Sequence, residues 1–508
     1  MVRNVIGYLR SSVGTYGDKV VCADDNTQLT YQELWNVSHE IAGNLLTYVK
    51  PLTPVPVLMK KSCDAFAVLW GIIKSGCCYV MIDPMLPQER ICSILETLEA
   101  TVVIVEDEKI RAKLPKHLQV VHYEDLRNTI TESQRKEVDE RISAICDIDP
   151  LYIMFTSGST GVPKGVVVNH RSVVDFIDCF VETFHITSDE VMGNQAPWDF
   201  DVSVKDIYSA VKTGATLQFI SKKYFSLPIQ LAEFLEQKNV TTLIWAVSAL
   251  CILSSRGILE KTVPSKIRKV IFSGEVMPVV QYNIWRRTYP NAMFVNVYGP
   301  TEITCNCTYC ILEREYGENE VLPIGKAFSN ERVFLLNEQD ELITDSMTGE
   351  AGEICVSGTA VTSGYYNAVP ETQKHFVQNP LNKKYNEIIY RTGDLAYYNA
   401  EKELCFLARK DFQIKYMGHR IELTEIERAL YSIAEIKQNC CVFHAEEIIA
   451  FIVAENIEIK TVVAELRKKI PTYMIPSKLL ILPELPLNKN GKIDRKLLVE
   501  HLEESNDK

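Results

Sequence analysis

The sequence lacks the features that mark membrane, secreted and repeat proteins. No apolar run approaches the roughly 18 residues of a membrane-spanning helix. The first residues, MVRNVIGYLRSSVGTYGDK, become polar too soon for a signal peptide. No internal repeat or low-complexity segment is visible. We therefore expect a cytoplasmic protein with no membrane partner.

Positive charge is also in deficit, with 54 lysines and arginines against 66 aspartates and glutamates and a formal net charge of −12. Such a chain is repelled by phosphate-rich surfaces, which argues against nucleic acid as a partner. The 508 residues are 46% hydrophobic and 24% charged. These values predict a globular protein of more than one domain.

Cysteine is plentiful, with 15 residues. Most occur singly or in apolar runs, as is typical of reduced, buried thiols. The tightest group is CNCTYC, with Cys305, Cys307 and Cys310. No second cluster supplies a fourth ligand at the spacing of a zinc site. Alternating positions in a strand explain Cys305 and Cys307 equally well, so zinc is the less favoured alternative.

Helical patterns alternate with short β-branched runs along most of the chain, which predicts an α/β fold. LTYQELWNVSHEIAGNLLTYV is an amphipathic helix pattern, and Thr30 and Glu33 have the spacing of a capping box. Unusual residues follow several apolar runs, where open α/β sheets bind ligands. The runs predicted to be buried strands of a largely parallel sheet are 101–105, 151–155, 241–247, 269–272 and 293–298.

After ICVSGTA the sequence pattern changes to short β-type runs with many turn residues. A compact C-terminal segment follows, with its own helix patterns TEIERALYSI and TVVAELRKKI. We place a domain boundary near Lys410–Asp411. The predicted units are a large one of residues 1–410 and a small one of residues 411–508, which carries the basic segment LNKNGKIDRKLL.

The segment FTSGSTGVPKG has the composition of a phosphate-binding loop and follows the apolar run LYIMF. Small residues let backbone N–H groups and hydroxyls close on phosphate oxygens, and Lys164 adds charge. The spacing is not that of a Walker A loop, and Pro163 precedes the lysine. A flexible surface loop is the alternative. The candidate ligands are Thr156, Ser157, Gly158, Ser159, Thr160, Gly161 and Lys164.

Three further segments carry candidate ligands, although each alone also fits an ordinary turn. In NVYGPTEITC, Tyr298 can hold a ring against a flat base, while Thr301 and Glu302 offer oxygens to Mg²⁺. In YRTGDL, Asp394 is expected in a turn, where its carboxylate can accept ribose hydroxyls. In LNKNGKID, Lys492 follows an Asn-Gly turn that would project it from the small unit.

Taken in order, these segments resemble the ATP-dependent adenylate-forming superfamily, and most closely the free-standing amino-acid adenylation domains of nonribosomal peptide synthetases and D-alanine–carrier-protein ligases. The resemblance covers nearly the whole chain. Its motifs are LTYQEL, IKSGCCYVMIDP, FTSGSTGVPKG, WDFDVSVKDIY, VYGPTE, GEICVSG, GYYN, YRTGDL, RKDFQIKYMGHRIEL and PLNKNGKIDR. It implies an acyl-adenylate synthetase fold, with α/β layers and a β-barrel-like part in the large domain and a mobile α+β C-terminal domain.

The resemblance implies a two-step ligase reaction that uses ATP and Mg²⁺. A substrate carboxylate attacks the α-phosphate, pyrophosphate leaves, and a phosphopantetheine thiol then displaces AMP to give a thioester. Lys492, Glu302 and Thr156 are the implied catalytic residues, with Glu302 as the metal ligand. The implied ATP contacts are the loop from Thr156 to Lys164, Tyr298 at adenine, Asp394 and Arg409 at the ribose, and also Gly299, Thr301, Glu302 and Lys492.

The same resemblance implies that the small domain rotates between the two steps about a hinge at Asp411. Rotation would replace Lys492 with the segment QIKYMGHR, residues 413–420, where His419 departs from the aromatic residue usual in the family. The chain ends soon after NGKIDRKLL. We therefore expect a free-standing enzyme whose thiol acceptor is a separate phosphopantetheinylated carrier protein.

The substrate is expected to be an amino acid, because Asp201 in APWDFDVSVKDIY matches the aspartate that pairs with the α-ammonium in the family. A helix N-cap is its alternative role. The other implied pocket residues are Val202, Lys205, Ile244, Ile271, Ser273, Gly274, Val297, Cys305 and Asn306. They leave a proline-like, a D-alanine or an acidic substrate open. Lys205 would either meet an acidic or amide side chain or turn away to pair with Asp206 or Asp199.

Other activities remain as alternatives. The first is an acyl- or aryl-coenzyme A ligase of the same fold, which Asp201 disfavours because such substrates bring no ammonium. A luciferase-like oxygenase has no support in the sequence. A degenerate binding protein is disfavoured by Lys492, Asp394, Glu302 and the intact loop.

Overall fold

The computed structural model describes residues 2–157, 162–255, 257–410, 413–454, 457–486 and 493–506. The α-helices are α1 (Ile6–Tyr16), α2 (Tyr31–Leu45), α3 (Cys63–Lys74), α4 (Gln88–Thr97), α5 (Glu132–Ala144), α6 (His170–Thr183), α7 (Val202–Thr213), α8 (Lys222–Phe225), α9 (Pro228–Gln237), α10 (Val247–Ser254), α11 (Ile258–Lys261), α12 (Val279–Thr288), α13 (Val369–His375), α14 (Leu423–Tyr431), α15 (Ile459–Lys469) and α16 (Arg495–Asn506). Short 3₁₀ helices cover Glu108–Lys113, Tyr123–Arg127, Thr301–Ile303 and Thr472–Met474.

The strands are β1 (Val20–Ala23), β2 (Gln28–Thr30), β3 (Pro54–Leu58), β4 (Cys78–Met81), β5 (Val102–Val105), β6 (Gln119–His122), β7 (Pro150–Thr156), β8 (Lys164–Asn169), β9 (Val191–Asn194), β10 (Thr216–Phe219), β11 (Thr242–Ala246), β12 (Lys269–Ser273), β13 (Met293–Tyr298), β14 (Thr308–Ile311), β15 (Lys326–Ala327), β16 (Glu331–Leu336), β17 (Leu342–Ile343), β18 (Gly352–Gly358), β19 (Phe376–Gln378), β20 (Ile388–Tyr398), β21 (Leu404–Arg409), β22 (Gln413–Tyr416), β23 (His419–Glu422), β24 (Ile436–His444), β25 (Glu447–Ala454) and β26 (Lys478–Ile481).

The sheets divide the described chain into α/β layers, an antiparallel part and a small α+β part. A nine-stranded sheet has the order β15-β14-β13-β12-β11-β9-β10-β1-β2, and a six-stranded sheet has the order β6-β5-β3-β4-β7-β8. A third sheet, β17-β16-β18-β20-β19 with β21 on β20, is antiparallel. After residue 412, the hairpin β22-β23 and the sheet β24-β25-β26 pack with α14, α15 and α16. The predicted fold class is confirmed.

All five predicted strands form, but the prediction of a single largely parallel sheet is wrong. β5 and β7 belong to the six-stranded sheet, whereas β11, β12 and β13 are neighbours in the nine-stranded sheet. A continuous apolar run shows that a strand is buried on both faces without specifying which strand lies beside it. The strand ends that were predicted to lie along one sheet therefore belong to two different sheets.

Strand alternation divides the side chains of β11, β12 and β13 between two cores. Ile244 lies opposite Ile271, and Ile271 lies opposite Val295. These residues and Val297 belong to the main core, which also contains α7 side chains. The intervening residues, including Leu243, Trp245, Val270, Phe272 and Phe294, belong to a second core. One face of these strands therefore packs on the same core as α7.

Capping residues predicted or recognised from the local sequence set the ends of two helices. Thr30 accepts from the Glu33 backbone N–H and Glu33 accepts from the Thr30 backbone N–H, so the predicted capping box is confirmed. Helix α7 ends at Gly214, whose backbone is left-handed with φ +79°. No helix in the described part of the chain combines the length and apolar character that crossing a membrane requires.

Gly214→Ala is expected to destabilise the protein, because a Cβ there would lie 2.2 Å from Cδ2 of Tyr16. The left-handed backbone alone would cost a residue with a side chain about 1–2 kcal/mol. Gly14→Ala in α1 is the control, since a Cβ there meets no atom within 4 Å, and alanine in a helix gains about 0.5–1 kcal/mol. The midpoint of urea unfolding should fall in Gly214→Ala and rise in Gly14→Ala. A shift of both midpoints in the same direction would contradict the steric role of Gly214.

Candidate active site

The predicted phosphate loop joins two antiparallel strands. Thr156 ends β7 and lies opposite Lys164, the first residue of β8. The Nζ atom of Lys164 lies 2.7 Å from Oε1 of Glu371, a partner that the sequence did not indicate. The predicted ligands Gly158, Ser159, Thr160 and Gly161 fall outside the described residues. The two ends of the loop are therefore held together by the strand pair.

Glu302 is the most deeply enclosed of the candidate phosphate and metal ligands in the described ranges, with 1% of its surface exposed. Tyr365 donates a hydrogen bond of 2.7 Å to Oε1. One guanidinium nitrogen of Arg420 donates to both carboxylate oxygens, at 2.9 and 2.8 Å. Burial alone would raise the pKa of Glu302, but Arg420 and the Tyr365 hydroxyl outweigh it, so the pKa is lowered. Glu302 is ionised and paired.

Tyr298, Asp394 and Arg409 form a second buried cluster. The Tyr298 hydroxyl donates to Oδ2 of Asp394 and Arg409 donates to Oδ1, each at 2.5 Å. The prediction of Asp394 in a turn is wrong, because β20 continues through it and pairs Asp394 with Arg409 of β21. The turn-like composition instead reflects Gly393, whose φ is +72° inside that strand. A carboxylate has about four acceptor positions, so Asp394 retains capacity for further donors.

A cavity of about 850 Å³ opens beside this cluster. Tyr298, Arg409, Val297 and Gly274 line it among the predicted ligands. Asn296 also lines it, although no sequence pattern pointed to this residue. Residues of β22, β24 and α16 form part of the remaining wall, together with residues of β21 and of the segments 275–277 and 321–324. The predicted adenine residue Tyr298 and the predicted ribose residue Arg409 thus share one cavity.

Gly299 lies where the chain leaves β13, and its lack of a side chain is a steric necessity. A Cβ would lie 2.5 Å from Cα of Asn306 and 2.7 Å from the Cys305 carbonyl oxygen. The close approach brings the segment after β13 back against its own start. As a result, Thr301, Cys305 and Asn306 all lie near the end of that strand.

Asp201 is buried, with 6% of its surface exposed, just before α7. It holds the N-cap position but makes no side-chain capping bond, so the alternative N-cap role is wrong. Burial raises the pKa of Asp201, while a hydrogen bond from Thr301 and the charge of Lys205 oppose the rise. The carboxylate is thus held by a side chain of the VYGPTE segment.

Lys205 points toward the other predicted pocket residues. Its Nζ donates to Oγ of Ser273 at 2.9 Å and to Oδ1 of Asn306 at 2.8 Å. The alternative that it turns away to pair with Asp206 or Asp199 is wrong. Asp206 accepts instead from Asn194 at 2.7 Å, because consecutive residues of a helix project in different directions.

The remaining predicted pocket residues are placed by α7, the strands and the loop after β13. Val202 is the first residue of α7, and Ile244, Ile271 and Val297 occupy one face of the nine-stranded sheet. Cys305 and Cys307 precede β14, so the alternative that both lie in a strand is wrong; Cys310 is in β14. Cys305 has a left-handed backbone, with φ +81°. All fifteen cysteines are free, and eleven of them are buried.

The hairpin β22-β23 enters the site from the C-terminal side. The Ser157 hydroxyl donates to the Arg420 carbonyl at 2.8 Å, and the Gly418 N–H donates to Glu275 at 3.0 Å. Lys415 Nζ lies 5.1 Å from the Tyr298 ring centroid. The His419 ring stacks on Tyr473 at 3.6 Å, and burial lowers the pKa of His419 to about 4.

The sequence did not indicate the partners of several of these groups. Tyr365 belongs to the GYYN motif, but neither it nor Glu371 has a local pattern that indicates contact with Glu302 or Lys164, because these contacts span long sequence separations. The reverse holds for Asp411 and Lys492, which the sequence singled out but which lie outside the described residues. Their predicted roles remain predictions.

Comparison with known proteins identifies the family. Residues 9–366 match the family described as AMP-binding enzyme, and residues 425–492 match the AMP-binding enzyme C-terminal domain. The first match covers well over half of the chain. The chain therefore belongs to the AMP-binding enzyme family, within the adenylate-forming superfamily that its motifs resemble.

Individual relatives agree with this placement. Gramicidin S synthase 1 of Brevibacillus brevis is 30% identical over 95% of this chain, which spans 43% of that protein. Tyrocidine synthase 1 of Brevibacillus parabrevis is 29% identical over 96% of the chain, which spans 44% of it. The chain thus spans less than half the length of either synthase. The Vibrio cholerae adenylation domain AlmE, solved with glycyl-adenosine-5'-phosphate, has a TM-score of 0.84 at 20% identity over 99% of this chain and 98% of its own.

Removing one partner of the Glu302–Arg420 pair is expected to cost more than removing both. Arg420→Gln leaves a buried carboxylate with its charge unpaired, at a cost of about 3–5 kcal/mol. The double variant with Glu302→Gln should recover at least about 1 kcal/mol in a double-mutant cycle of unfolding free energies. Additive effects would contradict the pairing.

The same pair gives a pH dependence with a defined sign. Since the pKa of Glu302 is lowered in the folded protein, its contribution is fully present above the ordinary pKa of glutamate. That contribution is lost as the pH falls through the lowered value. The Glu302→Gln variant should lack this acid-side component when unfolding is measured against pH.

Proposed function

We propose that the protein activates an amino acid with ATP as an aminoacyl-adenylate and then transfers the aminoacyl group to the phosphopantetheine thiol of a separate carrier protein. The observation that supports an amino acid is Asp201, a buried carboxylate with no helix-capping bond. A buried carboxylate is costly without a cation, and a substrate α-ammonium would provide one. The pocket residues leave proline-like amino acids, D-alanine and acidic amino acids as candidate substrates.

The ATP-binding role rests on the cavity beside Tyr298. Tyr298 would stack on adenine, and Asp394, fixed by Tyr298 and Arg409, would accept the ribose hydroxyls with its remaining acceptor positions. Thr156, Ser157 and Lys164 would contact the β- and γ-phosphates, together with the loop residues between them. In the adenylation step, the substrate carboxylate and the ATP phosphates, both anionic, must be held next to each other, and this is the main physical demand on the site.

The site also suits Mg²⁺. Glu302 is an ionised, buried carboxylate whose charge is offset by an arginine, and carboxylate oxygens are favoured Mg²⁺ ligands. Glu302 would hold the ion, with Thr301 nearby, and the ion would neutralise charge on the phosphates when bound. Lys492 would bridge the substrate carboxylate and ATP and stabilise the charge that develops on the α-phosphate.

The second step would use a different face of the C-terminal part. With the hairpin β22-β23 in the site, as in this structure, Arg420 takes the carboxylate that Mg²⁺ would need. The arrangement fits the thioester-forming step, in which pyrophosphate has left and a thiol replaces Lys492 at the reacting carbonyl. Asp411 would be the hinge between the two arrangements.

The main alternative is a coenzyme A ligase of the same fold acting on simple acyl or aryl acids. Such a substrate would bring no cation into contact with Asp201, which would then remain a buried carboxylate with a hydroxyl donor and the charges of Lys205 and Lys415 acting on it. Asp201 therefore favours the amino-acid activity.

Amino-acid-dependent ATP–pyrophosphate exchange is the direct test. We expect exchange with at least one amino acid, and Asp201→Asn should raise its KM by roughly 100-fold, as for a lost charged hydrogen bond, with the KM for ATP unchanged. Asp64→Asn, at a partly exposed aspartate paired with Arg127, is the control. Exchange with simple acids and none with amino acids would favour the ligase alternative.

Lys492→Ala should abolish adenylation and spare thiolysis of a supplied aminoacyl-adenylate. Lys489→Ala, three positions earlier in the same segment, is the matched control and should leave both steps intact. The two steps are followed separately, by pyrophosphate exchange and by AMP release from the supplied adenylate. Equal loss of both steps in Lys492→Ala would refute the proposal that the C-terminal part presents a different face to the site in each step.

A further inference from the structure

Lys205 carries a charge that the proposed amino-acid activation does not by itself use. The side chain is fully buried, with 0% of its surface exposed. Its ammonium donates to the Ser273 hydroxyl and the Asn306 amide oxygen, both of which are neutral. A buried ammonium is costly unless an anion contacts it. The two neutral acceptors orient Lys205, but within the described residues no carboxylate contacts its ammonium, and the charges of Asp201 and Asp206 act on it from farther away.

The two nearest carboxylates in the sequence act on Lys205 through their charge and do not contact it. Asp206 accepts from Asn194, and burial raises the pKa of Asp206 to about 7, so it is a weak source of negative charge. Asp201 accepts from Thr301 and is the proposed partner of the substrate ammonium. Binding an amino acid at Asp201 therefore adds a cation beside Lys205 without adding an anion from the protein.

The positions of Asp201 and Lys205 define the charge pattern of a fitting ligand. Lys205 lies four positions after Asp201, the N-cap residue of α7, so they lie on the same side of the helix, about 6 Å apart along its axis. Ile244, Ile271 and Val297 present apolar side chains from the sheet that packs on the same core. A ligand that satisfies all three features has a cation, a short methylene stem and an anion.

We infer that the substrate is an α-amino acid with an acidic side chain, whose terminal carboxylate pairs with Lys205 while Ser273 and Asn306 orient the ammonium. The inference rests on the proposed function. It separates the three substrates that the sequence left open, because proline-like substrates and D-alanine bring no second carboxylate and would leave the Lys205 ammonium without an anion in contact.

The test compares L-glutamate and L-aspartate with L-norvaline, which lacks the side-chain carboxylate, and with L-glutamine, L-proline and D-alanine. Exchange measurements should give an acidic amino acid a kcat/KM about 100-fold above that of norvaline, the size of a charged hydrogen bond. Lys205→Met should remove this preference, and Lys205→Arg should retain part of it. Lys212→Met, on the same helix but paired with Asp178, should leave the preference unchanged.

A second measurement does not depend on catalysis. The acidic substrate alone should raise the thermal unfolding temperature of the wild type and of Lys212→Met, and fail to raise that of Lys205→Met. This readout also shows whether Lys205→Met is folded, since its own transition is recorded.

The outcomes separate the two proposals. Preferred exchange with proline, D-alanine or norvaline, unchanged in Lys205→Met, would overturn the acidic substrate and leave amino-acid activation standing. Preference for glutamine over glutamate would also overturn it, in favour of an amide side chain. Exchange with no amino acid would overturn the proposed function and the inference with it.

Discussion

The ion pair between Glu302 and Arg420 constrains the rest of the site. Both groups are charged, and Glu302 is almost fully removed from water. Leaving either one unpaired would cost several kcal/mol, far more than an ordinary hydrogen bond contributes. The carboxylate must therefore always have a cation beside it. If Mg²⁺ is that cation when ATP is bound, then Arg420 has to leave when Mg²⁺ arrives and return after it departs.

Two other ion pairs at the site follow the same rule, but their partners come from the same side of the site. Asp394 is paired with Arg409 on the adjacent strand, and Lys164 with Glu371. These pairs persist whichever face the C-terminal part presents, because neither includes a residue beyond 410. The side of the cavity that carries Tyr298 and Arg409 is thus held by a fixed pair, while Glu302 exchanges its partner. The division fits a site in which the nucleotide stays bound through two steps.

The sequence predicts the secondary-structure elements and motifs of this site better than the contacts between residues that are distant in sequence. Strands, the capping box and the fold class follow from local patterns, and the ordered motifs predict the family. The division of the strands between two sheets does not follow, because apolar runs carry no information about neighbours. Sequence patterns leave the direction of Lys205 open, although helix geometry already disfavours a pair with Asp206, the next residue. Glu371 and Tyr365 escape prediction, since their partners lie 207 and 63 residues away.

The contacts of the hairpin β22-β23 with the site differ in how easily they can be exchanged. Ser157 with the Arg420 carbonyl and Glu275 with the Gly418 N–H are single hydrogen bonds, which water can replace at little net cost. The stack of His419 on Tyr473 joins two residues that both follow residue 412 and need not break when the hairpin leaves. Among these contacts, the bond to Glu302 is the one that requires a charged replacement. A second buried ion pair, between Arg90 and Glu425, also joins the two parts of the chain. Because Glu302 is the carboxylate proposed to bind Mg²⁺, a cation that arrives with ATP is suited to shift the energy difference between the two proposed arrangements there.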